Sequence, residues 1–281
     1  MKIKQLLPVF AAITLAIGFN SCKKADNSNS DEIETTFELS GDQAIADNLT
    51  QDANDVFNEV TTDNNLQGDG FAPSSGTTEN IIPCATITIT PAQGFPKTIT
   101  IDFGLSCTHR GITRSGKIIV VLSDSVRRPG ATAVMNFDNY YVNGYKKEGT
   151  ITWTNTSTPG TKSWSRKCEN GKITAPNGNY WLHSGMQYIT QTAGVSTPRD
   201  ITDDIFSITG NNSVTNSAGR TRTGTILEAL QKKTACANID KGKLKIEGPN
   251  HYAIIDFGNG DCDNLATISI DGRAPRTIIL R

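Results

Sequence analysis

Over most of its length the chain alternates apolar and polar residues in short runs that close on Asn, Asp, Gly or Pro, the pattern of strands with one face turned inward. Ile87 and Ile89 stand among threonines, Ile99, Ile101 and Phe103 alternate with Thr100 and Asp102, and Leu244 and Ile246 alternate with Lys243, Lys245 and Glu247. The dipeptides Asn143-Gly144, Asn170-Gly171, Asn177-Gly178, Asn259-Gly260 and Asp271-Gly272 suit tight hairpin turns, so neighbouring strands should run antiparallel. The pattern predicts a mainly β fold, with one large antiparallel β-domain over residues 80–281 that is either sandwich-like or an extended curved sheet.

One segment breaks the period of two. Ile45, Leu49, Ala53, Val56, Phe57 and Val60 recur at intervals of three and four, which predicts an amphipathic helix over residues 40–63. Ser40-Gly41-Asp42-Gln43 fits a capping box at its start. The apolar stripe should lie on the sheet, leaving Asp42, Asp47, Asp52, Asp55 and Glu59 to water. Residues 64–79 turn to Asn, Gly, Ser and Thr and read as a linker loop.

The front of the chain carries Met1-Lys2-Ile3-Lys4 and then an apolar stretch from Leu6 to Phe19, too short to span a bilayer and built like a cleavable secretory signal over residues 1–21. At its exit Phe19-Asn20-Ser21-Cys22 resembles the lipobox of bacterial lipoproteins, although Leu is more usual where Phe19 stands and Gly or Ala where Ser21 stands. That resemblance implies a lipid on Cys22 and membrane attachment through it. Residues 22–39 are polar without a buried-face period and read as a flexible tether. Cys22 is followed by lysines and not by Asp, which resembles lipoproteins sent to the outer membrane, at its cell-surface or periplasmic face.

Laying the two ends of the β-region over each other suggests an internal repeat. Cys84, Ile101-Asp102-Phe103-Gly104, Cys107 and Ser115-Gly116-Lys117 recur in order as Cys236, Ile255-Asp256-Phe257-Gly258, Cys262 and Asp271-Gly272-Arg273. Related halves at 80–160 and 161–281 are the expectation. With Cys22 lipidated, five cysteines remain in an oxidising compartment. The repeat selects Cys84 with Cys107 and Cys236 with Cys262, each disulfide contributing roughly 3 kcal/mol. Cys168 is left over as a free thiol.

The net charge of −1 gives no global field for nucleic acid. Three histidines in unrelated contexts make no zinc motif, and neither a Gly-x-Ser-x-Gly elbow nor a phosphate loop is present, so the sequence calls for no cofactor. Asp102 and Asp256 could face each other as a glycosidase pair, but an Asp before Phe-Gly reads better as an acceptor of turn amides. Asp256, Asn259, Asp261 and Asp263 crowd oxygens into one loop and form a weak Ca²⁺ candidate, with a capped hairpin as the simpler reading. All three tryptophans and five of six tyrosines fall between Tyr140 and Tyr188. Trp153, Trp164, Tyr180 and Trp181 are therefore candidates for stacking on a glycan, with cross-strand core filling as the alternative.

The Asp256 to Asn264 stretch matches the Asp-Phe/Tyr-Gly-x-Gly-x-Cys-Asp-Asn element of Bacteroidota β-rich lipoproteins, which the chain resembles. The front copy, Asp102 to Cys107, lacks the second Gly and the Asp-Asn. The resemblance implies location and fold and brings no activity. Three function classes follow as expectations: a non-catalytic envelope binding or adhesion module, with carbohydrate as one ligand class; a structural or assembly lipoprotein contacting another envelope protein; and, third, a glycosidase-like enzyme.

Overall fold

The structure is a computed structural model that describes residues 24–64, 66, 82–198 and 200–280. The secretory signal, Cys22 and most of the segment 64–79 lie outside the described residues. A single α-helix, α1 (Lys24–Asp63), precedes a run of strands: β1 (Thr86–Thr90), β2 (Lys97–Asp102), β3 (Cys107–His109), β4 (Ile112–Leu122), β5 (Thr132–Val142), β6 (Tyr145–Asn155) and β7 (Ser163–Thr174). The run continues with β8 (Tyr180–Ala193), β9 (Ile205–Asn216), β10 (Thr221–Lys233), β11 (Lys241–Glu247), β12 (Tyr252–Asn259), β13 (Leu265–Ile270) and β14 (Arg276–Ile279), with one 3₁₀ turn at Ile201–Asp203.

All of these strands belong to one antiparallel sheet whose order follows the chain from β1 to β14, apart from β3, a short flap on β4. The fold is thus the extended curved sheet, a meander and not a sandwich. The sheet is continuous across residue 160, where β6 pairs with β7 along its length, Ile151 opposite Cys168 and Asn155 opposite Trp164. Asn143-Gly144 and Asp271-Gly272 form the expected turns between β5 and β6 and between β13 and β14. Asn170-Gly171 does not: it sits inside β7, at a register shift where an extra residue bends the strand.

The sheet curls around α1. Every residue from Ala46 to Asn54 is buried, which a flat sheet on one side of a helix cannot achieve. Side chains from β4, β5, β6, β7, β8, β9 and β10 all bond to this stretch or to Asp55 beside it. Bulges supply the curvature. At Gly149 the β6–β7 register shifts, φ is +107°, and a Cβ would lie 2.7 Å from the Gly171 Cα, so only glycine lets the two strands approach there. Inward positions such as Ile99, Ile118, Met135, Ile151, Ile208, Leu244, Ile255 and Ile268 join Leu39, Leu49, Ala53, Val56, Phe57 and Val60 of α1 in one core.

Three expectations about the front of the chain are corrected. The helix begins at Lys24, so all but the first two of the residues read as a flexible tether belong to it. Their poor intrinsic helicity is overridden by packing against the sheet. Thr36 and Leu39 are fully buried, Asn250 donates twice to Glu32 at 2.9 and 2.7 Å, and the Arg276 guanidinium lies 3.2 Å from the centre of the Phe37 ring. Ser40 is not a cap but a mid-helix residue whose hydroxyl donates to the Thr36 carbonyl at 2.6 Å. The supposed wet face is enclosed: Asp47, Asp52 and Glu59 are buried, because strands cover the side that a flat sheet would have left open. No helix among the described residues is long and apolar enough to cross a membrane.

Candidate functional site

The middle of α1 meets the sheet through a buried polar spine. Arg114 of β4 donates to both carboxylate oxygens of Asp52, at 2.9 and 2.6 Å, and the Tyr140 hydroxyl adds a third bond. Lys147 donates to the Thr50 hydroxyl at 2.9 Å, Arg166 to Gln51 at 3.1 Å, and Lys232 pairs with Asp55 at 2.7 Å. Gln187 and Asn212 both donate to Asp47. Burial pushes the Asp47 carboxyl up, partly offset by Gln43 and Arg166, and holds the Lys147 ammonium down at about 8. The free Cys168 lies in this spine with its sulfur 3.6 Å from His183 Nδ1. Burial raises the thiol and drives the imidazole well below its usual range, so both are neutral near pH 7, the opposite of an activated thiolate pair.

The cysteines pair as Cys84 with Cys107, Cα atoms 5.4 Å apart, and Cys236 with Cys262, Cα atoms 5.0 Å apart. The two Asp-Phe-Gly elements take the same local geometry. Asp102 accepts from the Gly104 amide and Asp256 from the Gly258 amide, each at 2.9 Å, and Phe103 and Phe257 are both buried. Their carboxylates also face lysines across the ladder, Lys117 and Lys243. The Ca²⁺ candidates Asp256, Asn259, Asp261 and Asp263 line one open depression, but Asp256 and Asp263 are already held by the turn amides of Gly258 and Leu265. Among the described residues, the one group of His, Cys, Asp or Glu within metal-binding reach is Cys236, Asp240 and Cys262, whose sulfurs are joined to each other.

The four stacking candidates do not share a face. Tyr180 is exposed on the convex side, with the Lys172 ammonium 4.7 Å from its ring centre, while Trp181 is buried edge-on against Tyr145. An exposed aromatic platform is thus overturned. Alternation explains it: Trp153, Trp164 and Trp181 fall on inward positions of β6, β7 and β8, where rings fill the space between sheet and helix.

Two of the tryptophans nevertheless come together. Trp153 and Trp164 line a slot at the C-terminal end of α1, walled by Phe57 of the helix, Ile189 of β8, Phe206 of β9 and Ile201 of the 3₁₀ turn. Phe206 meets the Trp164 ring edge-on at 6.4 Å, and the Arg166 guanidinium sits 5.0 Å from the Trp153 ring centre, fixing both indoles. Their N–H groups are buried and have no partner among the described residues. Asp204 stands at the rim, accepting from Gln191 at 2.7 Å, and burial pushes its carboxyl up to about 7 against the pull of Arg127. The slot measures 40 Å³. Gln191, Asp204 and Phe206 carry no motif, and only the fold gathers them from strands far from the helix in sequence.

No family model matches the chain, and neither the curated proteins nor the solved structures hold a match to it.

Proposed function

We propose that the chain is a membrane-anchored lipoprotein of the cell envelope that works as a non-catalytic binding module, with its ligand in the slot between α1 and strands β6 to β9. The observation that carries this reading is the meeting of two buried indole donors, with no bond among the described residues, in a pocket walled by Phe57, Ile189, Ile201 and Phe206 and edged by Arg127, Gln191 and Asp204, since a buried donor left unmade costs about 1–3 kcal/mol. The neutral Cys168–His183 pair and the turn-bound Asp102 and Asp256 argue against catalysis by these groups. A small-molecule screen read by tryptophan fluorescence tests it, comparing the intact chain with Trp164→Phe. A panel in which every compound affects the two proteins equally would defeat the slot as the site.

The anchor itself rests on the Cys22 lipobox and is tested separately: Cys22→Ser should release the protein from the membrane fraction. Two related halves remain our reading of the matched Asp-Phe-Gly turns and disulfides. A second function, assembly with another envelope protein, is favoured by a different observation: among the described residues β1 pairs only with β2 and β14 only with β13, leaving two sheet edges open.

A further inference from the structure

We infer that the free edge of β1 is a self-association surface, where two copies of this chain join their sheets about a twofold axis through Thr88. The inference deepens the reading of assembly through an open edge, on which it rests, and stands apart from the slot. The observation that carries it is the sequence of β1, Thr86-Ile87-Thr88-Ile89-Thr90, which reads the same in both directions. Antiparallel pairing of two such strands about Thr88 sets Thr86 opposite Thr90, Ile87 opposite Ile89, and Thr88 opposite its own copy. Every threonine then meets a threonine on the exposed face, and every isoleucine meets an isoleucine on the face that packs against the core.

The edge is also fit to receive a strand. Among the described residues β1 pairs only with β2, from Thr86 opposite Asp102 to Thr90 opposite Thr98 without a register shift, so its outer side presents main-chain N–H and C=O groups in regular order. The strand carries no charge, no proline and no bulge, three devices that keep edges apart. Pro83 and Pro91 flank it and confine pairing to its five residues. They also fix the register. An axis at Ile89 would set Pro91, which has no N–H, opposite Ile87, and an axis at Ile87 would set Thr90 opposite Cys84, which lies beyond the strand and is bound to Cys107. The other edge lacks this symmetry. An axis at Thr277 or Ile278 of β14 sets Arg276 against Ile278 or Thr277 against Ile279, and Arg276 is already engaged with Glu34 and Phe37. Pairing thus uses one edge of each copy and closes at two. Five residues a side fall short of the roughly 20–30 of a standard interface, so the dimer is weak and its population follows concentration.

The test uses the mature chain carrying Cys22→Ser, which leaves every described residue in place. Sedimentation velocity of this protein should show a monomer that passes into a dimer as concentration approaches the millimolar range. Thr88→Lys sets two like charges directly opposite at the axis and should return the protein to monomer at the same concentration. Oxidative cross-linking then reads the register. Thr88→Cys places two thiols on facing residues, whereas Thr98→Cys, exposed one strand further in, leaves them about 14 Å apart or more across three strand spacings. The Thr88→Cys protein should give at least about fivefold more cross-linked dimer than the Thr98→Cys protein, with the parent chain supplying the background from Cys168. Equal yields, or a dimer that survives Thr88→Lys, would place the contact elsewhere and overturn the proposal. A chain that stays monomeric throughout would also overturn it, while leaving the slot and an edge contact with a different envelope protein untouched. Should Thr88→Lys fail to fold, the two cysteine variants still decide.

Discussion

The middle of α1 and its C-terminal end meet the same sheet in opposite ways. Around Asp47 and Asp52 the interface is made of charges and amides, matched by Arg114, Tyr140, Gln187 and Asn212. Around Phe57 the interface is aromatic, and its two indole donors make no bond among the described residues. The contrast separates two jobs: a charged and amide-rich network fixes which part of the helix faces which strand, whereas indole donors without a bond among the described residues leave capacity for recognition at the slot.

The largest break should come from the spine. Asp52→Ala leaves the Arg114 guanidinium buried without its carboxylate and should cost about 3–5 kcal/mol, read as a lower urea midpoint. A loss below about 1 kcal/mol would mean that the spine does not hold the helix. Next, removing the Cys84–Cys107 bridge with Cys84→Ser and Cys107→Ser should cost about 2–4 kcal/mol, and the corresponding change at Cys236 and Cys262 a similar amount. Unequal losses would separate the two ends of the sheet.

A smaller effect concerns pH. Burial raises the carboxyls of Asp42, Glu59 and Asp204 to about 7. A carboxyl raised in the folded state favours folding most when protonated, so this contribution is complete below about pH 4 and is lost as pH climbs through about 7. Stability should therefore fall between about pH 4 and 7, and Asp204→Asn should flatten that fall by its share; an unchanged slope would show that Asp204 is not protonated in the fold. The smallest effect sharpens the contrast from the other side. Trp164→Phe removes an N–H that has no partner and should shift stability by less than about 1 kcal/mol in calorimetry, despite its buried place.

The β-rich class and its antiparallel turns were legible because strand alternation and turn chemistry are local. Ile99, Ile101 and Phe103 point inward as their spacing requires, and Cys84 finds Cys107 because loop order constrains both. Curvature was not legible. Asn170-Gly171 reads as a hairpin turn and Gly149 carries no signal of its own, yet at bulges they bend the strands until the sheet surrounds α1. That one non-local fact explains the misplaced acids, since Asp47 and Asp52 look solvated until seven strands are known to cover them. It also explains the aromatics: the cluster from Tyr140 to Tyr188 was visible, but whether its rings face solvent or helix depends on which side is concave. The slot adds Asp204 and Phe206 from β9 and its approach, which share no pattern with Phe57.

The early start of α1 has a mechanical consequence. With Cys22 carrying the lipid, as proposed, Lys23 alone lies in sequence between the anchored residue and the first residue of α1. At about 1.5 Å per residue the helix places Asn54, at the slot, as far as roughly 45 Å along its axis from the anchored end. On that proposal the helix would act as a ruler, its length and not a length of loose chain bounding how far from the membrane a ligand is met.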